Sequence, residues 1–272
     1  MIITSLVDDY CPRRGLKGQH GFSLLIEAGG RRYLFDAGQD GLLASNAEAL
    51  GLDLSGLDGV ILSHGHYDHG GGLFSLYERL GKAAPPLYVG RGYDDPRRSR
   101  DGVAVRDIGL PEPLLPESAG PPRHVDELKE LSGGLFILPA VSPSTVRPPA
   151  ARFRRIAEGE ESLDDFRDEL SLVVLEGGTI SVVTGCAHRG VEAIVDAALS
   201  AFPGRALKAV AGGFHLAEAP RETLGVVARS LAQLRPATLL CGHCTGPRGF
   251  AALAAELGDK AAWLSCGLRT EL

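Results

Sequence analysis

The chain has 272 residues, 44% hydrophobic and 23% charged, with a formal net charge of −6. That length and balance suit a globular protein with a substantial core, laid out as one large domain or two small ones, and the negative charge argues against non-specific nucleic-acid binding. No apolar run approaches a membrane span, the five cysteines are too scattered for a disulfide framework, and Met1 to Asp9 lacks the basic and cleavable apolar regions of a signal, so a cytoplasmic location is expected.

Met1 to Asp9 reads as a first strand. Phe22 to Glu27 and Arg32 to Asp36 are β-rich runs joined by Ala28-Gly29-Gly30-Arg31, a hairpin signal. Leu42 to Leu50 can form a helix stopped by Gly51. Val60-Ile61-Leu62 reads as a buried strand and Leu73 to Leu80 as a helix. Between them lies Ser63-His64-Gly65-His66-Tyr67-Asp68-His69-Gly70-Gly71-Gly72, which holds three of the chain's eight histidines.

His64 and His66, two apart, project to one side of an extended segment, and Asp68 and His69 follow on the turn into the helix. Imidazole nitrogen with carboxylate oxygen suits zinc, iron or manganese. A histidine-rich polar loop is the ordinary explanation of one such residue. For four donors packed between a buried strand and a glycine run, metal binding explains more.

From about residue 90 to 167 the texture changes. Leu87-Tyr88-Val89, just before, and Leu135 to Leu138 look like short strands, but Pro-, Gly- and Arg-rich stretches dominate and read as long loops or a cap. The arginines suit an anionic substrate group, or simply a solvated loop. Regular patterning returns with a second hairpin, Leu172 to Leu175 and Ile180 to Thr184. Helices are expected over Val191 to Phe202, Arg221 to Leu234 and Phe250 to Leu257. Strands are expected over Ala206 to Ala211, Thr238 to Leu240 and Ala261 to Cys266.

Three further histidines, His188, His215 and His243, each sit just beyond an expected strand. Ligands in α/β sheets collect outside the carboxyl ends of strands, so all three can converge on the rim that carries His64 to His69. Cys241-Gly242-His243-Cys244 is also a C-x-x-C of the thiol-disulfide type. Those motifs open a helix, whereas here Thr245 to Gly249 is expected to intervene, which favours His243 as a metal ligand.

The His-x-His-x-Asp-His segment resembles the metal-binding signature of the metallo-beta-lactamase superfamily. The two hairpin-then-α/β halves and the Phe35-Asp36-Ala37-Gly38 turn fit it as well. That resemblance implies one domain over 1–272, a four-layered αβ/βα sandwich with two mixed sheets face to face, and an insert at about 90–167. It implies one or two divalent ions (Zn, Fe or Mn) held by His64, His66, Asp68, His69, His188 and His243. Cys186 stands where a bridging aspartate is usual, and His188 is favoured over it as the replacement ligand.

Together with Gly185-Cys186-Ala187-His188, Gly213-Phe214-His215-Leu216, His243-Cys244-Thr245-Gly246, Val7-Asp8-Asp9 and His20-Gly21-Phe22-Ser23, the signature is similar to a narrower branch. That branch is named for 7,8-dihydropterin-6-methyl-4-(ribofuranosyl)aminobenzene 5'-phosphate synthases.

The expected activity is hydrolysis of an ester, lactone, thioester or phosphoester of a small, anionic molecule. A metal would bring the pKa of its water from about 15.7 toward about 7, Asp68 would bind metal and orient that water, and His215 would donate a proton or grip an anion. The alternatives are a condensing enzyme of the synthase type and a non-catalytic metal-binding or ligand-sensing protein. Diiron redox chemistry would need a flavin partner, for which the chain has no visible site.

Overall fold

The computed structural model describes residues 1–272. In chain order it comprises β1 (Ile2–Val7), β2 (Ser23–Ala28), β3 (Arg31–Phe35), α1 (Leu42–Ala49), β4 (Gly59–Ile61), α2 (Tyr67–Gly70), α3 (Leu73–Leu80) and β5 (Leu87–Val89). The middle of the chain adds β6 (Arg97–Asp101), β7 (Ala104–Asp107), β8 (Arg123–His124), β9 (Lys129–Ser132), β10 (Leu135–Leu138), β11 (Phe153–Ala157) and β12 (Glu160–Leu163). It then runs through β13 (Ser171–Glu176), β14 (Thr179–Thr184), α4 (Val191–Ala201), β15 (Ala206–Gly213) and α5 (Arg221–Gln233). It ends with β16 (Thr238–Gly242), α6 (Gly246–Leu257), β17 (Ala261–Trp263) and β18 (Arg269–Glu271).

Two seven-stranded mixed sheets dominate, in the orders β18-β1-β2-β3-β4-β5-β8 and β17-β16-β15-β14-β13-β10-β9. Alternate strand residues point to opposite faces, so each sheet has an inner and an outer apolar set. Ile3, Leu24, Ile26 and Phe35 of the first meet Leu135, Leu172, Val183 and Leu240 of the second between the sheets. Outside, α1 and α3 cover the first sheet through Leu43, Ala47, Leu73 and Leu76. On the other side α4, α5 and α6 cover the second through Val191, Ile194, Val227, Leu231 and Leu253. The expected four layers, helix, sheet, sheet and helix, are therefore present.

Three features differ from the sequence reading. The stretch at 90–167, read as long loops or a cap, contains a four-stranded sheet in the order β12-β11-β6-β7. Its strand Arg97-Arg98-Ser99-Arg100-Asp101 shows no apolar alternation because the side chains it buries, Arg97 and Ser99, are polar. The last helix starts at Gly246, four residues before the expected Phe250, with Pro247 in its first turn, where proline lacks no needed N–H. A short last strand, β18, also closes the first sheet against β1. No helix is long and apolar enough to cross a membrane.

Candidate metal centre

Strand ends from both large sheets meet at one edge of the sandwich. The end of β4 leads into Ser63 to His66, and α2 carries Asp68 and His69. Opposite, β14 leads to Cys186 and His188, β15 to His215, and β16 to His243 and Cys244. Asp36, Ala187, His215 and His243 all have positive φ, between 48° and 62°. Non-glycine residues in that region are held there by their surroundings, and such positions gather at functional sites.

The expected donors fall into two sets. One nitrogen each from His64, His66 and His188 lie within 4.8 Å of one another, and so do donor atoms of Asp68, His69 and His243. Cys186 lies between, grouped with His64 and His69 on one side and with His243 and Cys244 on the other, its Sγ 3.1 Å from His69 Nε2. His215 joins neither set; its ring is 4.4 Å from that of His188. The two thiols of the C-x-x-C part company: Cys241 packs in the core under the helices, while Cys244 lines the cavity.

A test of whether a cation fits is the fate of the buried donors. His64 Nε2, His66 Nε2, both nitrogens of His188 and His243 Nε2 are buried without a hydrogen-bond partner. Buried polar atoms are normally satisfied, and a cluster of unsatisfied imidazole nitrogens matches the needs of a divalent ion. The donor set therefore fits the metal that the signature implies.

Behind the donors stand residues that fix their orientation. His69 Nδ1 is 2.6 Å from Asp36 Oδ2, which also accepts from Ser63 Oγ at 2.7 Å. His243 Nδ1 is 2.6 Å from Asp9 Oδ1, and the His243 backbone N–H donates to Asp8 Oδ2 at 2.8 Å. Glu169 accepts from the N–H groups of His188 and Arg189 at 2.6 and 3.0 Å, and Phe166 stacks on the His188 ring at 3.8 Å. Carboxylate-to-imidazole bonds of this kind set the tautomer of metal-binding histidines. Asp8, Asp9, Asp36, Glu169 and His20 were not identified as site residues from their own chemistry. The one available signal was that Asp8-Asp9 and Asp36 also follow strands.

Electrostatics separate the two sets. Burial holds His64, His66 and His188 well below the usual histidine range, so they are neutral. Burial would raise Asp68, but the charge of His69 and the close approach of the His20 and His243 imidazoles outweigh it and hold the carboxyl well below its usual range. Hydrogen bonds to Asp68 and Asp9 bring His20 up to about 9. Burial raises the Cys186 thiol well above its ordinary value. Burial acts the same way on Cys244, but a hydrogen bond with Cys186 and the charge of His243 prevail and bring it to about 7. Burial and the nearby Arg147 cation push His215 down to about 3.

A cavity of about 750 Å³ opens over both sets. Its walls include Tyr10, Tyr67, Phe153, Phe250 and Trp263, with Arg106 and Arg152 contributed by the middle region. Other arginines of that region have structural partners. Arg97 is fully buried against Asp164 and Asp168, and Arg98, Arg100 and Arg154 share Glu161.

Comparison with known proteins agrees with this geometry. A 7,8-dihydropterin-6-methyl-4-(beta-D-ribofuranosyl)-aminobenzene-5'-phosphate synthase of Methanocaldococcus jannaschii is 27% identical over 259 residues, covering 90% of this chain and 87% of that protein. Among solved structures, Tm1679, described as a metal-dependent hydrolase of the beta-lactamase superfamily, superposes with a TM-score of 0.85 at 29% identity, over 100% of this chain and 99% of the other. Zinc-bound PqqB from Methylobacterium extorquens shares the fold, with a TM-score of 0.62 at 13% identity over the whole of both chains. The model of the metallo-beta-lactamase superfamily matches residues 16–243, and the chain belongs to that superfamily.

Proposed function

We propose that this protein is a metal-dependent hydrolase acting on an ester, lactone or phosphoester bond in a small anionic molecule. The observation that carries the reading is the group of buried, unpartnered imidazole nitrogens on the floor of a cavity large enough for such a substrate. His64, His66 and His188 hold one cation and Asp68, His69 and His243 a second, with Cys186 between them. A divalent ion there supplies Lewis acidity and hydroxide at neutral pH.

The chain's own residues do the rest. Asp68, an ionised carboxylate, orients the nucleophile by accepting its hydrogen bond. His215, in the cavity wall beside His188, is placed to donate a proton or to grip a substrate's anionic group through its ring N–H. Arg152 and Arg106 stand at the cavity wall paired with Glu218 and Asp101, and a substrate's negative group would take the place of those carboxylates. Tyr10, Phe250 and Trp263 offer apolar surface to the remainder.

Metal analysis of the purified protein, followed by ester, lactone and phosphodiester screens with and without Mn, Fe or Zn, tests the reading. Asp68→Ala should abolish turnover, a larger loss than the about 10–100-fold typical of an outer partner. Hydrolysis that ignores chelator, or survives in Asp68→Ala, would contradict it.

A second reading is condensation on a phosphorylated pterin-type substrate, supported by the 27% identity to the synthase over 90% of the chain. The two readings share the metal site, so product analysis with a phosphorylated aminobenzene riboside and a dihydropterin carrying a diphosphate leaving group on its 6-methyl carbon, released as the new bond forms, separates them. Ring coupling without hydrolysis favours the synthase reading.

A further inference from the structure

We propose that His20, on the loop between β1 and β2, is a further protein ligand of the cation held by Asp68, His69 and His243, an assignment that rests on the metal reading above. Its basis is a convergence on one oxygen. Asp68 Oδ2 lies 3.2 Å from His20 Nε2, 3.4 Å from His243 Nε2 and 3.9 Å from His69 Nε2. Donor atoms bound at 2.0–2.2 Å to one tetrahedral cation stand about 3.3–3.6 Å apart, close to this spacing. At 3.9 Å His69 Nε2 is beyond hydrogen-bond reach of that oxygen and lies 3.1 Å from Cys186 Sγ, while the buried His243 Nε2 has no hydrogen-bond partner at all. A cation between the imidazoles and the carboxylate accounts for that unpartnered nitrogen.

Orientation gives a second, separate argument. Asp9 binds two histidines at once: its Oδ2 is 2.9 Å from His20 Nδ1 and its Oδ1 is 2.6 Å from His243 Nδ1. With both Nδ1 atoms held by one carboxylate, both Nε2 atoms turn toward Asp68. This is the carboxylate–histidine arrangement found behind metal ligands, here serving two rings 5.0 Å apart.

The loop is also pinned where a ligand must be. Phe22 N–H donates to the Asp68 carbonyl at 3.1 Å, and Gly21 N–H donates to Asp9 Oδ1 at 3.3 Å. A Cβ on Gly21 would stand 2.8 Å from the Asp68 carbonyl oxygen, so glycine is what allows this close approach. The His20 side chain is 53% exposed and closes its set from the solvent side of the cavity. The set of His64, His66 and His188 is flanked by Phe153 and Phe166, with the His215 ring 4.4 Å from that of His188.

The experiment is cobalt(II) binding to the metal-free full-length protein, followed by equilibrium dialysis and the visible d–d spectrum, in wild type, His20→Gln and His20→Ala. Glutamine keeps a donor toward Asp68, and its amide oxygen, the only atom through which it could ligate, replaces imidazole nitrogen by oxygen and would itself change the spectrum. Both variants should lose affinity for one bound cobalt by at least about 10-fold and change its spectrum, with circular dichroism unchanged. A wild-type spectrum and affinity in His20→Gln would reduce His20 to a hydrogen-bonding partner of Asp68 and overturn the proposal, as would an unaffected His20→Ala. A wild-type protein that takes up no cobalt would overturn the metal reading itself, and this assignment with it.

Discussion

The two large sheets and the small four-stranded sheet are held together by opposite means. Between the large sheets lie 20 buried apolar residues, and nearly every strand contributes alternate side chains to that layer. The small sheet has an apolar cluster of only three buried residues, Ile108, Phe153 and Phe166. Its strands carry Arg98, Arg100 and Arg154 against Glu161, and its firmest tie to the rest is Arg97. That guanidinium donates to Asp164 and Asp168 at 2.9 and 2.8 Å and to the carbonyls of Gly92, Tyr93 and Asp95. Asp168 in turn accepts the Gly65 N–H at 2.7 Å, between His64 and His66. The apolar sheets thus fix the donors, and the charged sheet builds the cavity wall and is clamped to the donor loop through one buried ion cluster.

Removing that clamp should have the largest effect. Arg97→Ala leaves Asp164 and Asp168 buried without a counter-charge and should cost about 3–5 kcal/mol in urea unfolding. Limited proteolysis should then cut first within the small sheet. A loss below about 1 kcal/mol would mean that packing, not charge, docks it.

A middle-sized effect is expected from Asp36→Asn, which replaces the carboxylate bonded to His69 Nδ1 and Ser63 with a near-isosteric amide. Cation affinity by isothermal titration should fall about 10–100-fold with little loss of fold stability. The reverse outcome, an unstable protein with normal affinity, would assign Asp36 to the scaffold instead of the site.

Arg100→Ala should do least. Its two bonds to Glu161, both 2.7 Å, lie at the surface, and Arg98 and Arg154 remain beside the same carboxylate. A change of about 0.2–1 kcal/mol is expected. A larger one would show that the small sheet's surface network acts as a unit.

The same contrast explains what was legible in the chain. Leu73 to Leu80 could be read because it buries one face and so carries a period of 3.6, and the two hairpins because their strands are buried on both faces and read as short apolar runs bounded by glycine turns. β7 and β12 are almost wholly exposed, and β6 buries only the polar Arg97 and Ser99, so none of them writes an apolar period. The start of α6 was hidden by Gly246, Pro247 and Gly249, residues that locally signal a break, although Gly249 is set against Leu216 in a contact where a Cβ would fall 2.7 Å from the Leu216 Cβ.

For the centre, the spacing of His64, His66, Asp68 and His69 was enough to name them, because four donors within six residues need no tertiary information. Their supporting residues did need it. Asp9 is 234 positions from His243 and Asp36 is 33 from His69, and an aspartate after a strand looks the same in sequence whether or not an imidazole lies opposite. His20 stood in the sequence only as part of a motif shared with the narrower branch, and its place against Asp9 and Asp68 needed the fold.

By itself, the order of residues determined the α/β layering and pointed to the candidate donors His64, His66, Asp68 and His69, through short-range periodicity and dense local spacing. Which carboxylate aims which imidazole, where Cys186 lies between the two sets, and how a charged sheet clamps onto the donor loop were decided only by folding. Those relations join side chains far apart along the chain, and only the packing of two sheets brings them within hydrogen-bond reach.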